Sequence, residues 1–398
     1  MSLLKYLSNS AKVATASVIA EITERVTDKS GIIAFHIGMP ARESLLIEEI
    51  ATVIQEMLQK RGVEALQYSP PQGIIMSDIQ RILERDGIKV DESDIMITTG
   101  ALQGAFLVAK AFINRDDFVL TEAPTYSINL QTFRIHGANI IGVPLDSRGI
   151  KIDILKDTLS KLERHGNKPK FVYVIPDFHN PTGIDWDIER RKELLDIADV
   201  YDLLIVEDAP YRYLRYKGER KPSLYEINPE RVIHLGSFSK IFSTGIRVGY
   251  LLAQSKIIEK LKLIKQSIDF NTPTLNQLIV KGLIEKGLFE KQVEKIRKIH
   301  MRKLNLMINA LKEYMQLEAI QHTSPKGGIF IWLTLPKDIN VVKLLNRALE
   351  EGVTFVPGYA FYPGDYKENA LRLNFTYPWD EEIEEGIIRL MRAIKKVR

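Results

Sequence analysis

Three features of the sequence predict an α/β fold: a large, mostly parallel sheet between helices, with a smaller α+β domain beside it. The apolar runs Phe118-Val-Leu-Thr-Glu122, Phe171-Val-Tyr-Val-Ile175 and Leu203-Leu-Ile-Val-Glu207 have the length and unbroken hydrophobicity of strands buried on both faces, with helical sequence between some of them. Chemistry-bearing residues follow the downstream ends of these runs, where α/β sheets place their ligand crevice. Finally, the composition changes after a long helical pattern at 289 to 314, and a shorter βαββ-like unit follows.

Bulk properties narrow the function classes. A chain of 398 residues, 45% hydrophobic and 27% charged, is an ordinary globular composition with room for one large or two medium domains. The 55 basic and 51 acidic residues are spread along the chain with no long basic block, so a small-molecule ligand is expected rather than nucleic acid or a membrane surface. The absence of cysteine excludes disulfides, thiolate metal sites and cysteine nucleophiles, and no metal site is expected. The first residues lack a charged region followed by an apolar core, and no apolar run is long enough to span a bilayer, so the expectation is a cytoplasmic protein.

Taken in order, residues 13 to 27 carry helical spacing, and Ser30-Gly31 stops them before a short strand from Ile32 to Pro40; this reads as an arm over residues 1–40. Helical sequence from Leu45 to Lys60 precedes Tyr68-Ser-Pro-Pro-Gln-Gly73, whose prolines and glycine force an extended loop presenting one tyrosine. A strand over 94–99, the turn at Gly100 and an apolar helix follow, aiming free helix-start N–H groups of Ala101 and Leu102 at the sheet's carboxyl edge. Two more strands flank residues 236–247. The helix at 289–314, strands near 327–335, 353–358 and 371–376, and helices at 341–350 and 380–397 complete the chain. The boundaries expected are 41–285 for the large domain and 286–398 for the small one.

The organising stretch is Gly236-Ser-Phe-Ser-Lys240-Ile-Phe-Ser-Thr-Gly-Ile-Arg247. A lysine at a strand end, among apolar neighbours and with an arginine close by, has its ammonium form disfavoured by desolvation and repulsion, which is what a nucleophilic amine requires. Arg247, Ser237 and Ser239 suit a phosphate, because a guanidinium forks onto two oxygens and hydroxyls add donors. Taken alone, the stretch is equally consistent with a solvated loop. The convergence of Pro124-Thr-Tyr126, Asn180-Pro-Thr-Gly183 and Asp208-Ala-Pro-Tyr211 on the same edge favours the site.

Asn180-Pro-Thr-Gly183, Asp208-Ala-Pro-Tyr211, Ser237-Phe-Ser-Lys240 with Arg247, and Leu371-Arg-Leu-Asn-Phe375 together resemble the fold-type I pyridoxal-phosphate aminotransferases of class I/II, nearest the 2-aminoadipate, kynurenine and aromatic aminotransferase branch. The resemblance runs from Phe35-His-Ile-Gly38-Met-Pro40 to Arg372. It implies a seven-stranded, mostly parallel large-domain sheet, pyridoxal 5′-phosphate as cofactor, and a homodimer with shared active sites. By the same resemblance Lys240 holds the cofactor as an internal aldimine and then moves the proton. Asp208 pairs with the ring nitrogen, Tyr211 and Asn180 bond the ring's phenolic oxygen, and Tyr126 stacks on the ring face. Ser237, Ser239 and Arg247 bind the phosphate together with the backbone at Gly100, Ala101 and Leu102, and Tyr68 reaches the other subunit's phosphate. Gly38, Asn180 and Arg372 receive the substrate, Arg372 forking onto its α-carboxylate.

Two departures from the family pattern matter. Where many relatives carry Ser-Gln after the phosphate-turn glycine, this chain has Ala101-Leu102; where acid-handling relatives read Ser-x-x-Arg-Glu in the arm, it has Ser17-Val-Ile-Ala20-Glu21. The side-chain pocket is therefore expected to be apolar, drawn from Ile19, Ile22, Ile37, Tyr68 and Phe178, with Arg25 or Arg42 as the remaining cations. The expected reaction is transfer of the amino group of an L-amino acid, aromatic or large aliphatic in preference to 2-aminoadipate, to a 2-oxo acid such as 2-oxoglutarate, in a ping-pong cycle. A lyase or decarboxylase on the same fold is the alternative, since the cofactor's chemistry follows which α-bond is aligned. A cofactor-sensing regulator is a further alternative, disfavoured by the lack of a basic helix-turn-helix.

Overall fold

The structure, a computed structural model, describes residues 3–315, 320–364 and 369–398. Its centre is an eight-stranded sheet whose strands start, in spatial order, at Ile95, Gly249, Val232, Leu204, Phe171, Phe118, Asn139 and Gly149. The five strands from Val232 to Asn139 run parallel, whereas Gly249–Leu252 is antiparallel to both its neighbours. The expected count was seven. The eighth strand, Gly149–Ile150, is a two-residue return antiparallel to Leu145–Asp146. Gly149 makes that return possible: its φ is +132°, and a Cβ there would lie 2.5 Å from the Trp186 ring.

The parallel strands Phe171–Val174 and Leu204–Asp208 are buried at nearly every position, which is why they read as continuous apolar runs. Strand Asn139–Asp146 had no counterpart in the sequence reading. Its Gly142 and Pro144 break the apolar run, and it is tolerated because it lies near the sheet edge, parallel to Phe118–Ala123 on one side and antiparallel to the short return on the other.

The arm also differs from the single helix expected over 13–27. Ser17, in an extended conformation, accepts from the Ala20 amide at 3.1 Å and starts a new helix, Val18–Val26, separate from Asn9–Val13. Only Ile33–Ala34 of the expected strand 32–40 is a paired strand, parallel to Val353–Thr354. Phe35 O still accepts from the Asn374 amide, but beyond it side chains take over: His36 O accepts from Arg372, Gly38 O from Lys240, and Met39 O from Thr376. This extended segment is thus held by the residues that form the site.

Ile22, Ile33 and Phe35 pack in one apolar cluster with Leu304, Met307, Leu344, Phe355, Leu373 and Ile387. The strands Gln321–His322, Phe330–Thr334, Ala370–Asn374 and Val356–Pro357 form, in that order, the four-stranded antiparallel sheet of that unit. Helix Leu288–Tyr314 contributes Phe289 and Val293 to the large-sheet core and Leu304 to Leu311 to the smaller one, so it serves both. Among the described residues no helix is long and apolar enough to cross a membrane.

Candidate active site

The carboxyl edge of the central sheet collects the residues singled out in the sequence. Lys240 follows strand Val232–Ser237, and its Nζ donates to Gly38 O at 2.7 Å. Its proton affinity is lowered to about 8, first by desolvation, then by the positive charges of Arg372 and Arg247, with Asp208 acting in the opposite sense. The distant Arg372 thus weighs on this amine more than Arg247, the neighbour in sequence.

Asp208, the last residue of strand Leu204–Asp208, is buried. Its Oδ2 accepts from Tyr173 OH at 2.6 Å and from Asn129 Nδ2 at 3.3 Å, while Oδ1 has no partner. Burial raises its proton affinity to about 6 against the lowering effect of the Tyr173 hydrogen bond. Tyr211 and Asn180 meet at 3.2 Å, Asn180 donating, and Asn180 Oδ1 accepts from Arg372 Nη1 at 2.9 Å. The Tyr211 hydroxyl is held neutral by burial. Tyr126 precedes helix Ser127–Ile135 and lies close enough to Asp208, Arg372 and Arg247 for their charges to act on its hydroxyl, which burial keeps protonated.

A second group, termed the cup, gathers hydrogen-bond donors. Arg247 Nη1 reaches Ser239 Oγ at 3.3 Å and Nη2 the Thr99 carbonyl at 3.2 Å. The Ser239 amide donates to Ser237 Oγ at 3.1 Å. Gly100, with φ +80°, precedes helix Ala101–Phe112, whose first-turn amides at Ala101 and Leu102 have no intrahelical acceptor. Arg247 itself has φ +55°, an uncommon conformation for a non-glycine residue. Gln103, Asp269 and buried Lys265 brace the turn, since Gln103 Oε1 accepts from the Thr99 amide at 2.8 Å and from Lys265 Nζ at 2.7 Å.

Arg372, on strand Ala370–Asn374, is buried with its guanidinium 4.1 Å from the Phe330 ring centre and 5.0 Å from that of Phe361. Nη1 and Nη2 hold Asn180 and the His36 carbonyl, and Nε has no partner. Tyr68 stands apart. It is 81% exposed, edge-on to Phe270 at 5.2 Å, and faces solvent within the single chain.

The expected side-chain pocket needs revision. Ile22 is buried in the smaller core and Phe178 in a third apolar cluster with Tyr211, Leu214, Ile329 and Phe330, packed against Gly327 and Gly328, so neither is free to line an open pocket. Arg25 bonds Asn346 at 2.9 Å, and Arg42 lies over Tyr377 and Trp379. Ile19 packs against the cluster of Trp332, Val356 and Phe361, and Ile37 is half-buried. Sequence reasoning also missed Tyr173 and Asn129, on a buried strand and in the first turn of helix Ser127–Ile135, whose hydrogen bonds to Asp208 leave no local signal.

A lysine amine, a buried carboxylate with one open oxygen and two arginines thus lie within electrostatic reach of one another. The chain matches the aminotransferase class I and II family model over residues 31–390. The chain belongs to that family. It is 39% identical over 396 residues to the aromatic-amino-acid aminotransferase 1 of Thermococcus litoralis, covering 98% of this chain and 94% of that one. It is 39% identical over 384 residues to the 2-aminoadipate transaminase of Thermus thermophilus, covering 96% and 94%. The solved structure of the Pyrococcus horikoshii kynurenine aminotransferase superposes with a TM-score of 0.94 at 38% identity, covering 99% of this chain and 98% of that one.

The chain is a pyridoxal-phosphate-dependent aminotransferase of fold type I, and its residues fit that cofactor. The unpartnered, buried Asp208 Oδ1 is an acceptor suited to a ring N–H, and the amine at Lys240 gives up its proton unusually easily. The cup is shaped for close approach: a Cβ at Gly100 would lie 2.7 Å from Arg247 Nη2.

Proposed function

We propose that this aminotransferase takes aromatic or large aliphatic L-amino acids in preference to 2-aminoadipate, and passes the amino group to a 2-oxo acid, 2-oxoglutarate foremost, in a ping-pong cycle. The observation that carries the donor preference is the setting of Arg372. Its guanidinium, between Phe330 and Phe361, offers a carboxylate a charged seat inside aromatic walls, while Arg25 in the arm is engaged with Asn346. A donor side-chain carboxylate left unpaired there costs several kcal/mol, on the order of the penalty for a buried charge. The relatives named for aromatic amino acids and for kynurenine support this preference, and the one named for 2-aminoadipate marks the competing outcome.

Bound at Lys240, pyridoxal 5′-phosphate supplies the electron-withdrawing ring that makes the substrate's α-proton removable. Lys240 Nζ takes and returns that proton as general base and acid, and its proton affinity near 8 puts both forms within reach at neutral pH. Asp208 would bond the ring nitrogen, Asn180 and Tyr211 would donate to the ring oxygen, and Tyr126 would cover the ring face. Ser237, Ser239, Arg247 and the Gly100, Ala101 and Leu102 backbone hold the phosphate, joined by Tyr68 of the partner subunit in a cytoplasmic homodimer. Arg372, Asn180 and Gly38 seat the α-carboxylate. The division proposed is an arm (1–40), a large domain (41–285) and a small domain (286–398), with helix Leu288–Tyr314 giving side chains to the core on either side of the second boundary.

A donor screen reporting kcat/KM tests the reading. Phenylalanine, tyrosine, kynurenine and leucine are expected to exceed 2-aminoadipate with 2-oxoglutarate as acceptor; a wide margin in favour of 2-aminoadipate overturns this preference. Release of ammonia or carbon dioxide without transfer would point instead to a lyase or decarboxylase.

A further inference from the structure

Asp208 is held from one side only. Tyr173 lies on strand Phe171–Val174 opposite Val206, two residues before Asp208, so the period-two alternation puts Tyr173, Val206 and Asp208 on the same face of the sheet. The Phe133 ring meets the Tyr173 ring edge-on at 5.4 Å and fixes its direction. A carboxylate only accepts, so Tyr173 OH must donate to Oδ2, at 2.6 Å; its lone pair then accepts from Asn129 Nδ2 at 2.7 Å, and the same amide reaches Oδ2 at 3.3 Å. Two donors therefore converge on Oδ2 in a buried setting, and Oδ1 is left bare. Tyr173 can serve only as a neutral donor, because burial and the Asp208 charge keep its proton in place.

We propose that Tyr173 and Asn129 are positioning residues for the cofactor: by donating to Oδ2 they keep Asp208 ionised and turned so that Oδ1 meets the ring nitrogen. Without those donors Asp208 would hold a proton of its own more readily, and Oδ1 would be a poorer acceptor for a ring N–H. Other groups act on Asp208 as well. His234 favours its charged form, Glu122 opposes it, and Lys240, Tyr126 and Tyr211 are electrostatically coupled to it. The experiment must therefore isolate Asp208 from them. The inference rests on the cofactor assignment and on neither donor nor acceptor, so its failure leaves the proposed substrates untouched.

The test titrates apoenzyme with pyridoxal 5′-phosphate by absorbance across pH 5 to 8, for the wild type, Tyr173→Phe, Asn129→Ala, Asp208→Asn and the Tyr173→Phe/Asp208→Asn double variant. The ratio of wild-type to Asp208→Asn affinity at each pH isolates the Asp208 contribution, which falls as pH drops through its titration. For Tyr173→Phe, the same ratio, taken against the double variant, should have its midpoint moved upward by about one pH unit, the shift expected for losing one hydrogen bond to a charged group. Asn129→Ala should move it the same way by less, and Tyr173→Phe should change affinity less than twofold in the Asp208→Asn background. An unmoved midpoint in both single variants, or an equal loss of affinity with and without Asp208, would overturn the proposal and reduce Tyr173 to a packing residue.

Discussion

Arg372 Nη1 donates to Asn180 Oδ1 at 2.9 Å, a hydrogen bond between residues 192 positions apart that ties strand Ala370–Asn374 to the loop after strand Phe171–Val174. Asn180 in turn donates to Tyr211, and Arg372 Nη2 holds the His36 carbonyl two residues before Gly38, the acceptor of Lys240. One guanidinium thereby organises three chain segments around the lysine. Its burial lowers its own proton affinity to about 10, so it remains charged at physiological pH.

Arg372→Ala is expected to lower kcat/KM for amino and oxo acids by about two to three orders of magnitude, mainly through KM. Amines lacking an α-carboxylate should lose far less, apart from a common loss caused by the unlatched Asn180. Steady-state kinetics on a matched amino acid and amine pair separates the two effects, and equal losses would remove the carboxylate role.

Lys240→Ala should abolish transamination by about four orders of magnitude or more, since both the covalent attachment and the proton carrier are gone, while circular dichroism stays native. The depressed proton affinity also has a stability consequence. A lysine whose folded value lies near 8, against 10.5 as the reference, costs stability wherever the unfolded chain holds the proton and the folded chain resists it; that cost is fully present below about pH 8 and disappears by about 10.5. Lys240→Met apoenzyme should therefore unfold at higher denaturant than wild type at pH 7, by about 1–3 kcal/mol, with the gap closing as pH rises.

Asp208→Asn and Arg247→Ala should fail differently. The first removes the charge facing the ring and should lower kcat far more than cofactor affinity; the second removes a phosphate charge contact and should chiefly weaken retention. Excess pyridoxal 5′-phosphate should restore turnover of the Arg247 variant and not of the Asp208 variant; the reverse pattern exchanges the two assignments.

Gly100→Ala is expected to damage the phosphate cup specifically. Its φ of +80° disfavours a side chain, at about 1–3 kcal/mol, and the added Cβ would press on Arg247 Nη2 and Cζ, at 2.7 and 3.2 Å. Cofactor dissociation measured by equilibrium dialysis should rise at least about tenfold, with the melting temperature lowered in the apoenzyme; unchanged affinity would show that Arg247 can give way.

The buried strands of the sheet were legible because residues hidden on both faces must be apolar throughout, and the helices Val341–Glu350 and Asp380–Val397 because one apolar stripe repeats at helical spacing. Lys240, Asp208 and Asn180 could be singled out because several such runs end in polar residues at one edge of the sheet; any one of them alone reads as readily as a turn or cap residue. Tertiary structure alone decided the rest. Strand Asn139–Asp146 forms because its neighbours satisfy its backbone in spite of Gly142 and Pro144. Segment 35–40 stays largely outside the sheets because Arg372, Lys240 and Thr376 bond its carbonyls. Ile22 and Phe178 went to the cores, not the crevice, since periodicity states that a side chain is buried without stating against what. The pairing of Tyr173 and Asn129 with Asp208 likewise depends on strand register and one helix start, and such through-space hydrogen bonds leave no mark on local sequence.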